Sequence, residues 1–393
     1  MILFSNRVTV FLERYRPLQW LVSLTRAAKQ RRRRPQRWSE KTSQLNLIGY
    51  CLGRPDKRGL WFKVADKLRV GEIVDDIIFI RRVSLKKLNK EKEKEDDSTL
   101  LSFIFNGLKE AAQDLKGLLK DKDDGFKKKM KEVCNCRGER VIMRLKEKIK
   151  DKPGPNNNNN NGGDDKGERS KEALDQKQKG KEKFGVILDS VENRDFDESL
   201  LLWHIATDLC LLKDQLGEPT ENTPQMQSIG ETLSEYMLYL LIKQPEMLSA
   251  TAGIGLLRFR DTCAEARRFF GSMDAWIRDH NDAREMLLGV NTSEKPSVVK
   301  GDRSKSVLFD AVILAKALRE LNEELMWDVV TRVWREMLTY AAGKCRGSTH
   351  VRQLSRGGEL ITLVWFLMAH MGLGDMYQIQ EGDAKAKLIV HDQ

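Results

Sequence analysis

The sequence predicts a mostly α protein with a helical C-terminal domain and a looser, basic helical N-terminal region, separated by a disordered linker. Three observations indicate this fold class. In the C-terminal half, apolar residues recur with a period near that of an α-helix. Convincing strand patterns are absent. Residues 153–183 are polar and include a run of asparagines at 156–161, and so few apolar side chains cannot offset the entropy cost of ordering.

These patterns divide the 393 residues into five parts. They are a basic membrane-proximal tail (1–37), a basic helical region (38–152), the asparagine-rich linker (153–183), the helical C-terminal domain (184–380) and a tail (381–393). The formal net charge of +11 favours an anionic partner, either nucleic acid or a membrane surface. Of the six cysteines, only Cys134 and Cys136 lie close together, and a C-x-C pair alone does not specify a metal site. We expect the other four, Cys51, Cys210, Cys263 and Cys345, to be reduced, buried thiols in a cytosolic compartment.

The N-terminal tail places an apolar patch at 18–24 before a cluster of arginines, namely Arg31, Arg32, Arg33 and Arg34. We interpret the cluster as a contact with an anionic membrane, because basic residues beside an amphipathic segment are attracted to anionic lipid. A nucleic-acid or nuclear-import patch and a solvated linker are the alternatives. No secretory signal is recognised. No apolar run is long enough for a transmembrane helix, and the longest, 360–373, contains His370 and predicts a buried helix.

Four helical segments are expected in the basic region. Ser39 is a candidate N-cap for a helix with a stripe of Leu45, Ile48 and Leu52. Residues 61–83 predict a short helix pair whose second part is rich in β-branched residues. There the adjacent Asp75 and Asp76 are interpreted as a solvent-facing turn rather than a metal site. Amphipathic helices follow at 100–119 and around 141–149.

The C-terminal domain opens with a helix around Ser199 to Leu212, capped by Asp195, Asp197 or Ser199. Further helices are predicted at 229–242, 247–268, 307–321, 325–342 and 360–371. The helix at 229–242 is expected to stop before Pro245. Polar loops are expected at 217–224 and 289–302, and a connection at 343–356.

Four motifs in this half occur in a characteristic order: W-H-I-A-T-D-L-C (203–210), S-E-Y-M-L-Y-L-L (234–241) with P-E-M-L (245–248), V-W-R-E-M-L-T-Y-A-A-G-K-C (333–345) and L-S-R-G-G-E-L-I-T-L-V-W-F-L-M-A-H-M-G (354–372). Together they resemble the plant C-terminal domain of unknown function 594. The stretch R-W-S-E-K-T-S-Q-L-N-L-I (37–48) resembles the segment that precedes it in such proteins.

The resemblance implies a plant protein whose relatives carry an N-terminal multi-helix membrane domain, the domain of unknown function 4220. The first 36 residues resemble only the tail of that domain, so the membrane spans are expected to be missing. The resemblance implies no activity, no cofactor and no catalytic residues.

The histidines carry the sharpest chemical hypothesis. His204 and Asp208 are four residues apart and share a helix face. With His350 and His370, and with Cys345 or Glu359, they could form a divalent metal site, or a general base oriented by a carboxylate. No H-E-x-x-H spacing supports this. The alternative is a hydrogen-bonded His204–Asp208 pair that fixes packing beneath Trp203.

Two other features have both a binding interpretation and a structural one. Gly357 and Gly358 before a helix could present amide groups to an anion, or could form a tight entry turn. The tryptophans Trp327, Trp334 and Trp365 lie on apolar faces and predict core rather than a base-stacking platform.

The sequence therefore favours a noncatalytic interaction or scaffold protein, cytoplasmic or peripheral to a membrane. Its expected partners are an anionic membrane surface and an unidentified protein, with no small-molecule substrate identifiable. A metal-dependent enzyme using His204 and Asp208 is one alternative. Nucleic-acid binding through the basic N-terminal region is the other.

Overall fold

The fold was described from a computed structural model. It describes residues 41–53, 79–84, 100–116, 134–150, 183–212, 222–248, 252–272, 277–292 and 306–373. The arginine cluster Arg31–Arg34, Asp75, Asp76 and nearly all of the predicted linker lie outside these ranges.

The described chain is mostly α, as the sequence predicts. After a strand, β1 (Lys41–Gln44), come helix α1 (Leu47–Leu52), strand β2 (Arg81–Ser84) and helices α2 (Leu100–Lys116), α3 (Glu139–Lys150) and α4 (183–192). The C-terminal part contains α5 (Phe196–Cys210), α6 (Thr223–Lys243), a 3₁₀ turn (Pro245–Met247), α7 (Ala252–Ser272), α8 (His280–Leu288), α9 (Val307–Arg319), α10 (Glu323–Lys344), α11 (Gly347–Leu354) and α12 (Leu360–His370). Within the described ranges, no helix combines the length and the apolar character that a membrane crossing needs.

Helix α5 is the centre of the fold. All of its side chains are buried, including the carboxylates Asp197, Glu198 and Asp208. It packs against α6, α7, α8 and α9, so neighbours surround it. A helix buried on every side needs apolar residues around its whole circumference, and L-L-L-W followed by Ile205 and Leu209 supplies them. Most of its remaining polar side chains therefore bond to other parts of the protein, as buried polar groups usually do.

The predicted helix at 39–52 is only partly correct. Residues 41–44 form β1, which pairs antiparallel with β2 and places Thr42 opposite Val83. Thr42 and Gln44 are both buried and alternate along the strand, and β1 lies against α6. Helix α1 begins later, where the Asn46 side chain accepts a hydrogen bond from the Gly49 amide at 2.8 Å. Contact with α6 outweighs the Ser39 capping signal.

Two further helices depart from the sequence-based assignments. Helix α8 lies in a stretch for which no helix was predicted. Its N-cap Asp279 and Asp282 form a reciprocal capping box. Helix α11 occupies part of the predicted connection at 343–356. The predicted ends of α6, before Pro245, and of α12, before Gly372 with φ +71°, are confirmed.

The described helices of the basic region share a core with the C-terminal helices. Helix α2 buries Leu100, Ile104 and Leu108 and packs against α12. Helix α3 packs against α10, where Arg140 Nε donates to Glu336 Oε1 at 2.9 Å. These contacts join segments on both sides of the predicted linker.

Gly138, just before α3, provides a test of this packing. It is buried with φ +128°, and an added Cβ would lie 2.9 Å from Val333 Cγ1 on α10. We expect Gly138→Ala to lower the free energy of unfolding by about 1–3 kcal/mol, because a side chain is strained at that φ and clashes with the core. Urea denaturation measures the change. Gly185→Ala is the control, because its Cβ would meet open space in α4. A Gly138→Ala variant as stable as this control would contradict the packing.

Candidate functional site

The His204 imidazole on α5 is buried and fully engaged. Its Nε2 accepts a hydrogen bond from the Leu47 amide at 3.1 Å. Since an amide can only donate, Nδ1 carries the proton and donates to Ser234 Oγ at 2.9 Å. Burial lowers the pKa of His204 to about 4 despite the nearby Asp208 carboxylate. The ring is therefore neutral at pH 7, and neither nitrogen is open to a metal ion or a substrate.

Asp208 lies one turn further along α5 and has different partners. Its Oδ2 contacts His280 Nε2 at 2.9 Å. Its Oδ1 accepts two bonds from Arg284, at 3.2 Å from Nε and 2.6 Å from Nη2. Burial by itself raises the pKa of Asp208, but His280 and Arg284 more than offset this and lower it to about 2. Asp208 is thus a buried carboxylate whose charge is neutralised by α8.

The predicted hydrogen-bonded His204–Asp208 pair is therefore not what the structure contains. His204 bonds to the 45–47 segment and to α6, whereas Asp208 bonds to α8. The prediction that both are buried polar anchors in packed surroundings is consistent with their exposure of 1% and 2%. Trp203 above them donates to Ser190 Oγ at 2.9 Å rather than to either residue.

His350 and His370 lie on other helices. His350 on α11 is buried, and its Nε2 donates to the Ala342 carbonyl at 3.1 Å while Nδ1 accepts from Thr362 Oγ1 at 3.2 Å. Its ring stacks on Trp365 with centroids 4.8 Å apart, and burial lowers its pKa. His370 ends α12 and is exposed. Among the residues that the structure describes, no three His, Cys, Asp or Glu side chains are grouped as metal ligands.

The other candidate sites, a helix start that could bind an anion and the cysteine on α5, are also closed by contacts within the chain. Gly357 and Gly358 have φ of +111° and +77° and form a tight turn into α12. There the Ile361 amide donates to the Tyr236 hydroxyl at 3.1 Å, which in turn donates to Glu359 at 3.2 Å. Thus a tyrosine, not an external anion, occupies this helix start. Burial raises the pKa of Cys210 to about 12, which makes its thiol unreactive.

The predicted core tryptophans are mostly confirmed. Trp327 and Trp334 are buried, and Trp334 Nε1 donates to Thr207 Oγ1 at 2.9 Å. Trp365 is half-buried beside His350.

The partners of the 45–47 segment could not be identified from the sequence. His204 on α5 and Glu235 on α6 bond to this segment, and Ser234 on α6 bonds to the His204 ring. We call these three residues the N-terminal clasp. Glu235 accepts from the Leu45 amide through its carbonyl at 3.1 Å and from Asn46 Nδ2 through its side chain at 3.3 Å. Arg81 of β2 adds an ion pair to Glu235 at 2.8 Å. No local pattern indicates these contacts, although the D-x-x-D capping box could have revealed α8 and hence His280 and Arg284.

A cleft of about 530 Å³ lies between α5, α7 and α9, and most of its lining residues are charged. Arg258 bonds to Asp197 at 2.6 Å and to Asp195 at 2.5 Å, and Arg194 bonds to Glu198 at 2.8 Å and to Asp310 at 2.7 Å. These charges neutralise one another within the chain. Among the described residues that line the cleft are carboxylates and the Thr262 hydroxyl, but no His, Cys or Ser.

Comparison with known proteins gives one match. Neither the curated proteins nor the solved structures include a significant match to this chain. Residues 319–373 match the family model described as protein of unknown function, DUF594. This span runs from the end of α9 through α10, α11 and α12, and it contains the motifs at 333–345 and 354–372. The C-terminal part of this chain, at residues 319–373, is therefore similar to the DUF594 family of proteins of unknown function.

Proposed function

We propose that this protein is a noncatalytic interaction domain that binds the anionic cytoplasmic surface of a membrane. The observation that carries the proposal is the outer face of α7, formed by Ile254, Leu257, Arg260, Asp261, Ala264, Arg267 and Arg268. All of these residues are exposed. The apolar side chains Ile254 and Leu257, one turn apart, are 55% and 58% exposed.

The chemistry of this face suits a lipid surface. Three arginines against one aspartate give it a positive charge, and each cation near anionic lipid contributes roughly 1 kcal/mol. The two apolar side chains can enter the headgroup boundary, and each contributes about 1–2 kcal/mol when buried. Nucleic acid fits less well, because the face has no exposed aromatic ring on which a base could stack.

The noncatalytic part of the proposal is supported by the side chains of α5. Both nitrogens of His204 and both oxygens of Asp208 bond to other residues of the chain. A catalytic role would require breaking the contacts that hold the 45–47 segment and α8. The predicted contact through Arg31–Arg34 would add a second attachment, since a single weak membrane signal gives only marginal binding.

Vesicle flotation tests the proposal with the full chain. We expect binding to phosphatidylcholine vesicles that contain phosphatidylserine, but not to phosphatidylcholine alone. Changing both Ile254 and Leu257 to Ser is expected to weaken binding at least about tenfold, since it removes more than 1.4 kcal/mol of insertion free energy. Changing Arg31–Arg34 to Ala is expected to weaken it further and to reduce its dependence on salt.

Val351→Ser is the matched control, because Val351 is 59% exposed on α11 and lies outside the proposed surface. It is expected to bind like the unchanged chain. The proposal would be overturned if neither the unchanged chain nor any variant floated with the vesicles at any salt concentration. Binding to DNA or RNA that decreases steeply with salt while vesicles are ignored would also overturn it.

A further inference from the structure

Two cysteine thiols from distant parts of the chain meet at the interface of α1 and α7. Cys51 and Cys263 are 212 positions apart in sequence, yet Cys51 Sγ lies 3.9 Å from the Cys263 carbonyl oxygen. The two helices that carry these residues, α1 and α7, pack against each other. Both side chains are buried, and both are free thiols.

The packing around them keeps the two residues opposite each other. Phe259, Cys263 and Arg267 are spaced four apart and form one stripe along α7. This stripe faces Tyr50, whose ring centroid lies 5.6 Å from that of Phe259 and 5.2 Å from the Arg267 guanidinium. Since Tyr50 is anchored on both sides of Cys263, the neighbouring Cys51 is held in register with it.

The start of α1 is fixed independently. His204 accepts from the Leu47 amide, and Asn46 caps the helix while donating to Glu235. The N-terminal clasp and the α7 stripe thus hold the 41–53 segment at two points.

We propose that Cys51 and Cys263 are a redox-sensitive pair that closes into a disulfide when a disulfide oxidant, such as oxidised glutathione, is present. The bond would attach the 41–53 segment covalently to α7. Disulfide closure requires the two Cα atoms to be about 4.4–6.8 Å apart, so the proposal requires α1 and α7 to bring them to that separation. This inference does not depend on the membrane proposal.

The reaction proceeds by two thiol–disulfide exchanges. Cys51, the more exposed of the two, loses its proton and attacks one sulfur of oxidised glutathione, and one glutathione thiolate leaves and takes up a proton. Cys263 then loses its proton and attacks the mixed disulfide at Cys51, and the second glutathione leaves as a thiol. The two cysteines lose two electrons and two protons, and these reduce one glutathione disulfide to two glutathione thiols.

Access controls the rate of this reaction. The interaction with the Cys51 side chain and then burial raise the pKa of Cys263, so little thiolate is present while the interface is closed. Opening of the short helix α1 exposes both thiols. We therefore expect slow oxidation in the native protein, with a rate that increases when the clasp is weakened.

Peptide mass mapping without reduction tests the proposal. After incubation of the full chain with oxidised glutathione, we expect a linked peptide pair containing Cys51 and Cys263, and a rise in Tm of at least about 5 °C that dithiothreitol reverses. Cys51→Ser and Cys263→Ser should each abolish the linked pair and the rise in Tm. Cys210→Ser should keep both, because Cys210 is buried elsewhere in the core. Circular dichroism of each variant checks that it is folded.

Two results would overturn the proposal. One is that Cys51 and Cys263 remain free thiols in folded protein after oxidation, while the more accessible Cys136 forms a glutathione adduct. The other is a disulfide that joins either residue to a different cysteine. His204→Gln provides a kinetic test, since loosening the clasp should speed formation of the same linked pair.

Discussion

Replacement of Asp208 by alanine is expected to lower the free energy of unfolding by about 3–5 kcal/mol, because it leaves a buried positive charge without its partner. The Arg284 side chain is only 14% exposed, and both its Nε and its Nη2 bond to Asp208. His280 loses the same acceptor. Chemical denaturation followed by circular dichroism measures the change.

The matched control is Glu285→Ala. Glu285 is an exposed carboxylate on α8, next to Arg284 in sequence, and its removal is expected to change stability by less than about 0.5 kcal/mol. Asp208→Asn is expected to lie between the two, since the amide keeps one acceptor oxygen but loses the charge. Equal stabilities of Asp208→Ala and Glu285→Ala would show that the Asp208 network does not hold α8 to α5.

The second large effect is a change in the free energy of unfolding on acidification. We expect the unchanged chain to hide it, because two groups respond to pH in opposite directions. The pKa of His204 is lowered from 6.5 to about 4, so its contribution to stability is present above pH 6.5 and is lost as pH falls towards 4. The pKa of Glu235 is raised from 4.5 to about 7, so its contribution is present below pH 4.5 and is lost as pH rises towards 7. As the pH falls from about 6.5 to 4.5, the stabilising contribution of His204 therefore decreases while that of Glu235 increases.

The raised pKa of Glu235 arises first from burial, which Arg81 does not overcome. The Arg81 side chain is 59% exposed, so water screens its attraction for the buried carboxylate despite their 2.8 Å contact. The protonation state of Glu235 therefore changes near neutral pH, directly beside the serine that binds His204.

A variant that removes one of the two groups should reveal how the other makes the free energy of unfolding depend on pH. Between pH 7 and 4.5, Glu235→Gln is expected to lose on the order of 2–3 kcal/mol of unfolding free energy, because the contribution of Glu235 no longer opposes that of His204. His204→Gln is expected to gain stability over the same interval. Urea denaturation at both pH values measures this, and a flat profile in both variants would contradict the assigned ionisation states.

The local patterns predicted most helices but not what their polar residues do. Trp327 and Trp334 were correctly placed in the core, and the ends of α6 and α12 follow from Pro245 and Gly372. The Ser39 signal failed because β1 gains contacts with α6 that a local helix would not have. Helix α8 was missed because its nine residues carry a short apolar pattern.

By itself the sequence determined the fold class and the apolar helix around His204, because helical periodicity and capping act between residues a few positions apart. Tertiary structure alone decided the partners of its polar groups. His204 bonds to an amide 157 residues away, and Asp208 to a histidine 72 residues away. A buried polar group must be paired, but sequence spacing does not specify which distant group packing brings to it. The W-H-I-A-T-D-L-C segment therefore contains residue types that catalysis uses, yet its His204 and Asp208 hold the N-terminal segment and α8 in place.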